Sequence, residues 1–370
     1  MKYKTPPQWV YYLLATPFFK PAIMGVLDGT DGVETLFDLW RLGAAAVICL
    51  LYLRQTVKLR KFPSVETVLL CVYLGFIALA TLIREDNLWS LVNYTVTILV
   101  FCLLVELRLR ESPLDAVDML VMPMTVLVLV NLSMQIIYPA GVWVGGTYGY
   151  AFHFLGIDNL MAPQLIPYMF LVVLRSSMIH GRINWFAYLM VAAASECLLV
   201  VWSSTALIGL AVALVFLLFF YERRWQTLFN FTTAGAVGAG MFYGIVIFRL
   251  QEVFSFFIEK VLHKGLSFTG RTEIWDRAIT MFLESPWLGY GIAQSGKVYR
   301  LRRDKYYHAH NMFLEVLVEG GLPALLAYLI FWERAGRQLL IHRRHPYACL
   351  ISAGMMSILL MAAMEPFLDQ

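Results

Sequence analysis

The chain has little charge for its length: only 15% of its 370 residues are Asp, Glu, Lys or Arg, whereas 60% are hydrophobic. Soluble domains average about 25% charged residues, and a soluble globule of this size could not bury so much apolar surface. Several stretches are long and apolar enough to cross a hydrocarbon layer of about 30 Å as helices. The sequence therefore predicts a membrane protein that is solvated mostly by lipid.

Cysteine motifs and a strong net charge are also missing. The five cysteines all lie in or beside apolar stretches without the close spacing of metal or redox motifs, so we interpret them as packing residues. The net charge of +4 is too small to indicate nucleic-acid binding. The first apolar stretch contains Lys20 between Pro17 and Pro21 and no small-residue cleavage site, which predicts an uncleaved helix rather than a secretory signal.

Hydropathy predicts an all-α polytopic membrane protein with about eleven transmembrane helices. The predicted spans are residues 9–27, 36–53, 66–83, 88–107, 117–138, 160–176, 184–202, 205–221, 226–248, 311–332 and 347–364. Connections rich in Lys and Arg alternate with acidic or neutral ones along the chain. By the positive-inside rule, the basic set and the N-terminus are cytoplasmic, and the C-terminus lies outside.

One long connection, residues 249–310, is thereby predicted to be a large, partly helical extracytoplasmic loop. It carries ten Lys and Arg against six Asp and Glu, but loops of this length are only weakly constrained by the charge rule. The chain is thus predicted to have three parts. Residues 1–248 hold nine spans, residues 249–310 form the extracytoplasmic loop, which we expect to carry the chemistry of the protein, and residues 311–370 hold two more spans.

A short amphipathic helix is predicted within this loop over residues 272–283, because apolar residues recur there at helical spacing. Arg271 stands at its start, where backbone N–H groups and the helix dipole favour an anion, and its guanidinium suits a phosphate or diphosphate. Arg277 lies six positions later, about 240° further round, so the two arginines cannot share one face. Arg277 either pairs with Glu273 or Asp276 on the solvated side or binds substrate.

The second half of the loop is basic up to the next span, with Arg300, Arg302 and Arg303 followed by His308 and His310. The basic run either attracts membrane lipid phosphates or forms a funnel for an anionic lipid-linked substrate. The two histidines lack further ligands at motif spacing, so no metal site is predicted. His310 lies where the loop returns to the bilayer and is either a base for an acceptor hydroxyl or an exposed surface histidine.

Ionisable residues within predicted spans are expensive in hydrocarbon and usually face a cavity or a partner. They are Lys20, Asp38, Arg41, Glu196, Glu315 and Glu319. Glu315 and Glu319 share a helix face with Asn311 near the loop exit. They either position a sugar or orient His310, or they pair with an arginine elsewhere, and we slightly favour the pairing.

Four short motifs resemble, in order and placement, those of the O-antigen ligase and polymerase family of bacterial envelope polysaccharide synthesis. They are GRTEIW at 270–275, PWLGYG at 286–291, HAHNMFL at 308–314 and GGL at 320–322. The motif match covers about residues 269–330, while the remainder agrees in helix number and hydropathy. Each motif is weak alone, and the ordered set is more specific.

The resemblance implies a metal-independent and cofactor-free GT-C-like glycosyltransferase in the cytoplasmic membrane. It would transfer a glycan from undecaprenyl diphosphate to an acceptor sugar hydroxyl on the outer face. Arg271 would bind the diphosphate leaving group, and His310 would be the base or orient the acceptor. The further substrate-binding candidates are Arg277, Arg300, Arg302, Arg303, His308, Asn311, Arg249, Arg41 and Glu315.

The chain departs from the family pattern in two places. Many members carry a Ser-Arg pair at the outer start of the eighth span, where this sequence reads WSST at 202–205. Arg41, Arg249 or the arginines at 300–303 are candidates for the missing phosphate-binding cation. A twelfth span, common in the family, is also not predicted.

The sequence interpretation favours a polymerase that joins lipid-linked repeat units of a capsule, an exopolysaccharide or an O-antigen. A flippase and a chain-length regulator are its expected protein partners. The alternative is a ligase that moves finished glycan to lipid A core or protein. A secondary transporter is less favoured, because the spans show no paired internal repeat.

Overall fold

The computed structural model is mostly helical, and it describes residues 5–25, 31–84, 88–145, 150–219, 235–236, 239–240, 243–244, 271–292, 309–345 and 347–363. The helices are α1 (Gln8–Ala15), α2 (Asp31–Leu59), α3 (Val65–Ile83), α4 (Leu88–Thr95), α5 (Phe101–Leu109), α6 (Pro113–Ile137), α7 (Asp158–His180), α8 (Trp185–Val201), α9 (Ser204–Phe219), α10 (Arg271–Glu284), α11 (Met312–Ile341) and α12 (Ala348–Ala362). A π-helical segment, Val96–Val100, joins α4 to α5. Strands β1 (Trp143–Gly145) and β2 (Tyr150–Phe152) form an antiparallel hairpin.

Within the described residues, six helices are long and apolar enough to cross a membrane. They are Gly32–Leu59, Val65–Ile83, Leu88–Leu109, Pro113–Ile137, Leu160–His180 and Met312–Ile341. Shorter apolar helices at Trp185–Val201, Ala206–Leu218 and Ala348–Ala362 coincide with three further predicted spans. The chain is therefore a multi-pass helical membrane protein. Most of the predicted span at 226–248 and most of the loop at 249–310 lie outside the described residues, so the number eleven stays a prediction.

The prediction of one continuous helix over residues 9–27 is wrong. The α-helix there ends at Ala15 and is followed by two short 3₁₀ helices, Thr16–Phe18 and Ala22–Gly25. Pro17 and Pro21 account for the interruption, because proline has no N–H for the helical hydrogen bond and its ring clashes with the preceding turn.

The chain divides into two compact units, and the first comprises Met1–Ser64, Val96–Arg223 and His345–Ser357. Its apolar core includes Tyr11, Ile48 and Leu104, from α1, α2 and α5. Helices α6, α7 and α8 pack against one another, and α9 packs against α7 and α8. This core arises because each helix buries one apolar stripe against its neighbours.

The second unit comprises Val65–Thr95, Arg224–Arg344 and Ile358–Gln370. Within it, α3 packs along α11, and α10 packs against α11. This unit contains two of the four motifs in full, at 286–291 and 320–322, and the described parts of the other two, 271–275 and 309–314.

Candidate functional site

Helix α10 confirms the amphipathic helix that periodicity predicts in the loop, with one residue added at each end. Its buried face contributes Ile274, Trp275, Ala278 and Met281 to one cluster. The partners of this face are Ala309 and the α11 residues Leu314 and Val318. The apolar stripe therefore fixes α10 against the first half of α11.

A hydrogen bond joins α10 to the residue before His310. The Trp275 indole Nε1 donates to the backbone carbonyl of Ala309 at 3.0 Å, and the bond is buried. Arg271 is the first residue of α10 and precedes Trp275 by four residues, which is about 6 Å along a helix axis. The start of α10 is thus about one helical turn from the contact with the His310 segment.

His310 itself has a positive φ of 47°, which is uncommon for a residue other than glycine. The next residue, Asn311, caps α11, because its Oδ1 accepts hydrogen bonds from the backbone N–H groups of Phe313 and Leu314. Its Nδ2 donates to the carbonyl of Ala363 at 2.8 Å. The buried Asn311 amide therefore orders the turn around His310, and its predicted contact with substrate stays a prediction.

Glu315 lies in the first turn of α11, and its side chain is turned back towards this segment. Its Oε2 accepts a hydrogen bond from the backbone N–H of Ala309 at 2.7 Å. The side chain is almost fully buried, with 1% of its residue surface exposed. The sequence analysis left three roles open for Glu315: contact with a sugar, orientation of His310 and pairing with an arginine. This hydrogen bond brings the carboxyl group to the residue before His310, and its role there stays a prediction.

Helix α11 is broken at Gly321, where the backbone has φ 70° and ψ −170°. The following Pro323 has no N–H, so the carbonyl of Glu319 lacks its normal helical donor. The PWLGYG turn at 286–291 supplies the missing partners. Tyr290 and Gly291 donate their N–H groups to the carbonyls of Val318 at 2.8 Å and Glu319 at 2.9 Å, and the N–H of Leu322 donates to the Pro286 carbonyl at 2.8 Å.

Glycines make this close backbone approach possible. Gly289 has φ 72°, and a Cβ there would lie 2.6 Å from the Glu319 carbonyl oxygen. A Cβ on Gly321 would lie 2.8 Å from the backbone carbon of Trp287. The turn at 286–291 and the helix break at 320–322 therefore pack against each other backbone to backbone. The prediction of a single regular span over 311–332 misses this break.

Arg84, at the end of α3, also holds the turn at 286–291 and was not among the predicted site residues. Its Nη2 donates to the Ser285 hydroxyl at 2.9 Å and to the Gly289 carbonyl at 3.3 Å. Its guanidinium carbon lies 4.8 Å from the centre of the Tyr290 ring, a cation–π distance. The sequence signal was only a cation at the end of a predicted span.

The Tyr290 phenol is influenced by three charged side chains near this turn, those of Glu284, Arg84 and Arg277. Burial raises the pKa of this phenol, and the hydrogen bond and charge of Glu284 raise the pKa further, while the charges of Arg84 and Arg277 oppose this effect. The hydroxyl donates to Glu284 Oε2 at 3.2 Å. Arg277 is half-buried, and its charge lowers the pKa of Tyr290. Its role in substrate binding stays a prediction.

In the first unit, Arg41 belongs to an ion-pair group that ties α2 to the segment after α1. Arg41 Nη2 lies 2.8 Å from Asp38 Oδ1, and Lys20 Nζ lies 2.7 Å from Glu34 Oε1 and 3.3 Å from Asp38. These pairs explain how charges are tolerated in apolar surroundings. Whether Arg41 also supplies the missing phosphate-binding cation stays a prediction.

The remaining predicted site residues, Arg249, Arg300, Arg302, Arg303 and His308, lie outside the described residues. For Arg271 the structure describes the backbone position, at the start of α10. The described site is therefore the arrangement of α10, the turn at 286–291, the segment 309–311 and the first half of α11.

Comparisons with known proteins agree with the motif resemblance. A family model described as O-antigen ligase matches residues 167–329. A Pseudomonas aeruginosa protein named O-antigen ligase is 29% identical over 150 residues, which cover 40% of this chain and 34% of that protein, so the relative is matched over about a third of its length. No solved structure matches the chain. Over residues 167–329 the chain is therefore similar to the O-antigen ligase family, in the region that also contains the four motifs.

Proposed function

We propose that this protein is a membrane glycosyltransferase of the ligase type. It takes a glycan from undecaprenyl diphosphate and transfers it to a hydroxyl group of another acceptor, such as lipid A core. The family description and the name of the relative support the ligase type. The structural observation behind the site is the Trp275–Ala309 hydrogen bond, which holds the start of α10 near His310.

In the proposed reaction, the acceptor oxygen attacks the anomeric carbon of the lipid-linked sugar. A new glycosidic bond forms, the bond from that carbon to the diphosphate oxygen breaks, and its electron pair leaves with the diphosphate. Arg271 and the N-terminus of α10 stabilise this developing negative charge. His310 takes the proton of the acceptor hydroxyl. The reaction needs no metal or other cofactor.

A polymerase would perform the same bond exchange, with a second lipid-linked repeat unit as the acceptor. The sequence interpretation preferred this acceptor, and the resemblance includes it. The matching family and the Pseudomonas aeruginosa relative are both described as O-antigen ligases, which favours the ligase instead. We therefore propose the ligase first. A flippase and a chain-length regulator remain expected partners for the polymerase alternative alone.

The acceptor is tested with purified full-length protein in vesicles that contain lipid-linked oligosaccharide and a metal chelator. One sample receives lipid A core and another receives only further lipid-linked oligosaccharide, and products are identified by mass spectrometry. Glycan on lipid A core supports the ligase. Longer chains on undecaprenyl diphosphate would establish the polymerase instead. Failure of both, while the protein stays folded, would contradict glycosyl transfer.

The proposed site lies on the outer face of the cytoplasmic membrane, with the N-terminus inside. Single cysteines introduced at residues 61 and 287 provide a test with a membrane-impermeant thiol reagent on intact spheroplasts. Labelling at residue 287 and protection at residue 61 are expected. The reverse pattern would contradict the orientation and place the turn at 286–291 in the cytoplasm.

A further inference from the structure

The residue before His310 is held by side chains from two different helices. Trp275 of α10 donates to the carbonyl of Ala309 at 3.0 Å, and Glu315 of α11 accepts from the N–H of Ala309 at 2.7 Å. Ala309 is fully buried, with 0% of its surface exposed. The N–H and the carbonyl of this buried residue are thus both satisfied by side chains, as burial of backbone polar groups requires.

These contacts oppose a local conformational cost. His310 has φ 47°, in the left-handed region that non-glycine residues avoid. Such a conformation persists only where the surroundings determine it strongly. On the C-terminal side, the Asn311 cap fixes the start of α11. On the N-terminal side, the hydrogen bonds of Ala309 to Trp275 and Glu315 fix the backbone that leads into His310.

We propose that Glu315 is a positioning residue, which sets the backbone of His310 through the Ala309 N–H and takes no proton during the reaction. The Glu315 carboxyl oxygen accepts the Ala309 N–H, and a buried hydrogen bond is electrostatically stronger than one in water. Because Glu315 stands in the first turn of the helix that Asn311 caps, its carboxylate closes a loop around residues 309–315. The role of His310 in this inference rests on the proposed function.

Two other roles for Glu315 predict different behaviour. If the carboxylate carried a proton or a charge needed in the reaction, Glu315→Gln would lose activity as fully as Glu315→Ala. If Glu315 only stabilised the start of α11 through the helix dipole, removing it would lower the melting temperature without a specific effect on residues 309–311. If Glu315 is a positioning residue, the glutamine carbonyl still accepts the Ala309 N–H. Glu315→Gln should then keep the glycosyl transfer that Glu315→Ala loses.

The test compares Glu315→Ala, Glu315→Gln and Trp275→Phe in the full-length protein. Trp275→Phe keeps a buried aromatic ring, removes the donor to the Ala309 carbonyl and leaves a small cavity, so it probes the second hydrogen bond of Ala309 in a variant that should fold. Glu66→Ala is the matched control, because Glu66 pairs with Arg334 at 3.0 Å in the same unit and does not touch residues 309–311. Hydrogen exchange of the peptide covering 309–315 is measured beside glycosyl transfer.

We expect Glu315→Ala to speed exchange in this peptide by about tenfold or more, because the Ala309 N–H loses its buried acceptor. The same variant should lower kcat by about tenfold or more, with the KM for the lipid-linked donor changed less than about threefold. Trp275→Phe should also speed exchange in this peptide and lower kcat. Glu315→Gln should stay near wild type in exchange, kcat and the pH profile of kcat, and Glu66→Ala should match wild type.

Two results would overturn the inference. One is exchange in Glu315→Ala that equals wild type, which would mean that Glu315 does not order the segment. The other is a Glu315→Gln variant with normal exchange but activity as low as that of Glu315→Ala, which would assign the carboxylate a chemical role. If the wild type transferred no glycan at all, the proposed function would fail, while the exchange measurements would still decide whether Glu315 orders the segment.

Discussion

Replacing Gly289 by alanine should detach the turn at 286–291 from α11. The residue has φ 72°, and the added Cβ would lie 2.6 Å from the Glu319 carbonyl oxygen and 2.7 Å from that of Val318. These are backbone atoms, which cannot rotate away as the end of a side chain can. A left-handed conformation costs an L-residue about 1–2 kcal/mol, and overpacking adds about 1–3 kcal/mol. The docked turn should lose about 2–5 kcal/mol in total.

A loss of this size is comparable to the free energy that holds the turn at 286–291 on α11. Three backbone hydrogen bonds connect it to α11, from Tyr290, Gly291 and Leu322, and each contributes about 0.5–1.5 kcal/mol net. Hydrogen exchange of these three amides should therefore become faster by about thirtyfold or more, since about 1.4 kcal/mol corresponds to tenfold. Glycosyl transfer should fall in parallel, because the turn also holds the broken helix that carries Glu315.

Gly75→Ala is the matched control for this variant. Gly75 lies within α3, and a Cβ there would meet nothing within 4 Å. Alanine in a helix interior is favoured over glycine by about 0.5–1 kcal/mol, so exchange at the turn should be unchanged and the melting temperature equal or higher. If Tyr290 and Gly291 exchanged in Gly289→Ala at rates within about threefold of the control, the docking that we infer from their backbone bonds would be wrong.

Three further outcomes are expected at the same site. Arg84→Lys should loosen the turn, because an ammonium lacks the planar guanidinium that lies over the Tyr290 ring while its Nη2 donates to Ser285 and Gly289; unchanged proteolysis and exchange of the turn would contradict this. Asn311→Ala should lower the free energy of unfolding by about 0.5–2 kcal/mol through loss of the cap, and Asn311→Asp, which keeps the capping oxygen but cannot donate to the Ala363 carbonyl, should also melt at a lower temperature than wild type. Since Glu284 raises the pKa of the Tyr290 phenol and Arg84 lowers it, Glu284→Gln should lower that pKa and Arg84→Ala should raise it, in an ultraviolet titration referenced to Tyr290→Phe. Because the folded-state pKa is raised, the stability contributed by the neutral phenol is present at neutral pH and is lost as pH rises through that pKa.

The sequence predicted the elements that depend on local patterns. The period of the apolar residues was enough for α10, because its buried face is also the face that packs on α11. Arg271 and His310 were selected from chemistry and position, and the structure holds their segments together through Trp275. Hydropathy also located α3, α6 and α11, since a lipid-spanning helix needs only length and apolarity.

Contacts between distant segments were not predictable in this way. Arg84 looked like an ordinary cation at a span end, and its partner Gly289 follows 205 residues later. The break in α11 was hidden because a hydropathy window averages over Gly321 and Pro323. The same averaging predicted one helix over 9–27, where Pro17 and Pro21 interrupt it. For Glu315, spacing indicated the neighbourhood but could not show that its carboxylate accepts the Ala309 N–H.

The separate roles of Arg271 and His310 are tested most directly by measuring donor binding and undecaprenyl diphosphate release in the same vesicles. His310→Ala should bind the lipid-linked glycan about as well as wild type and release at least about a hundredfold less undecaprenyl diphosphate in the presence of acceptor. Arg271→Ala should weaken donor binding as well as release. Release at the wild-type rate from His310→Ala, in protein of equal amount and melting temperature, would contradict the site at the start of α10 and residues 309–311.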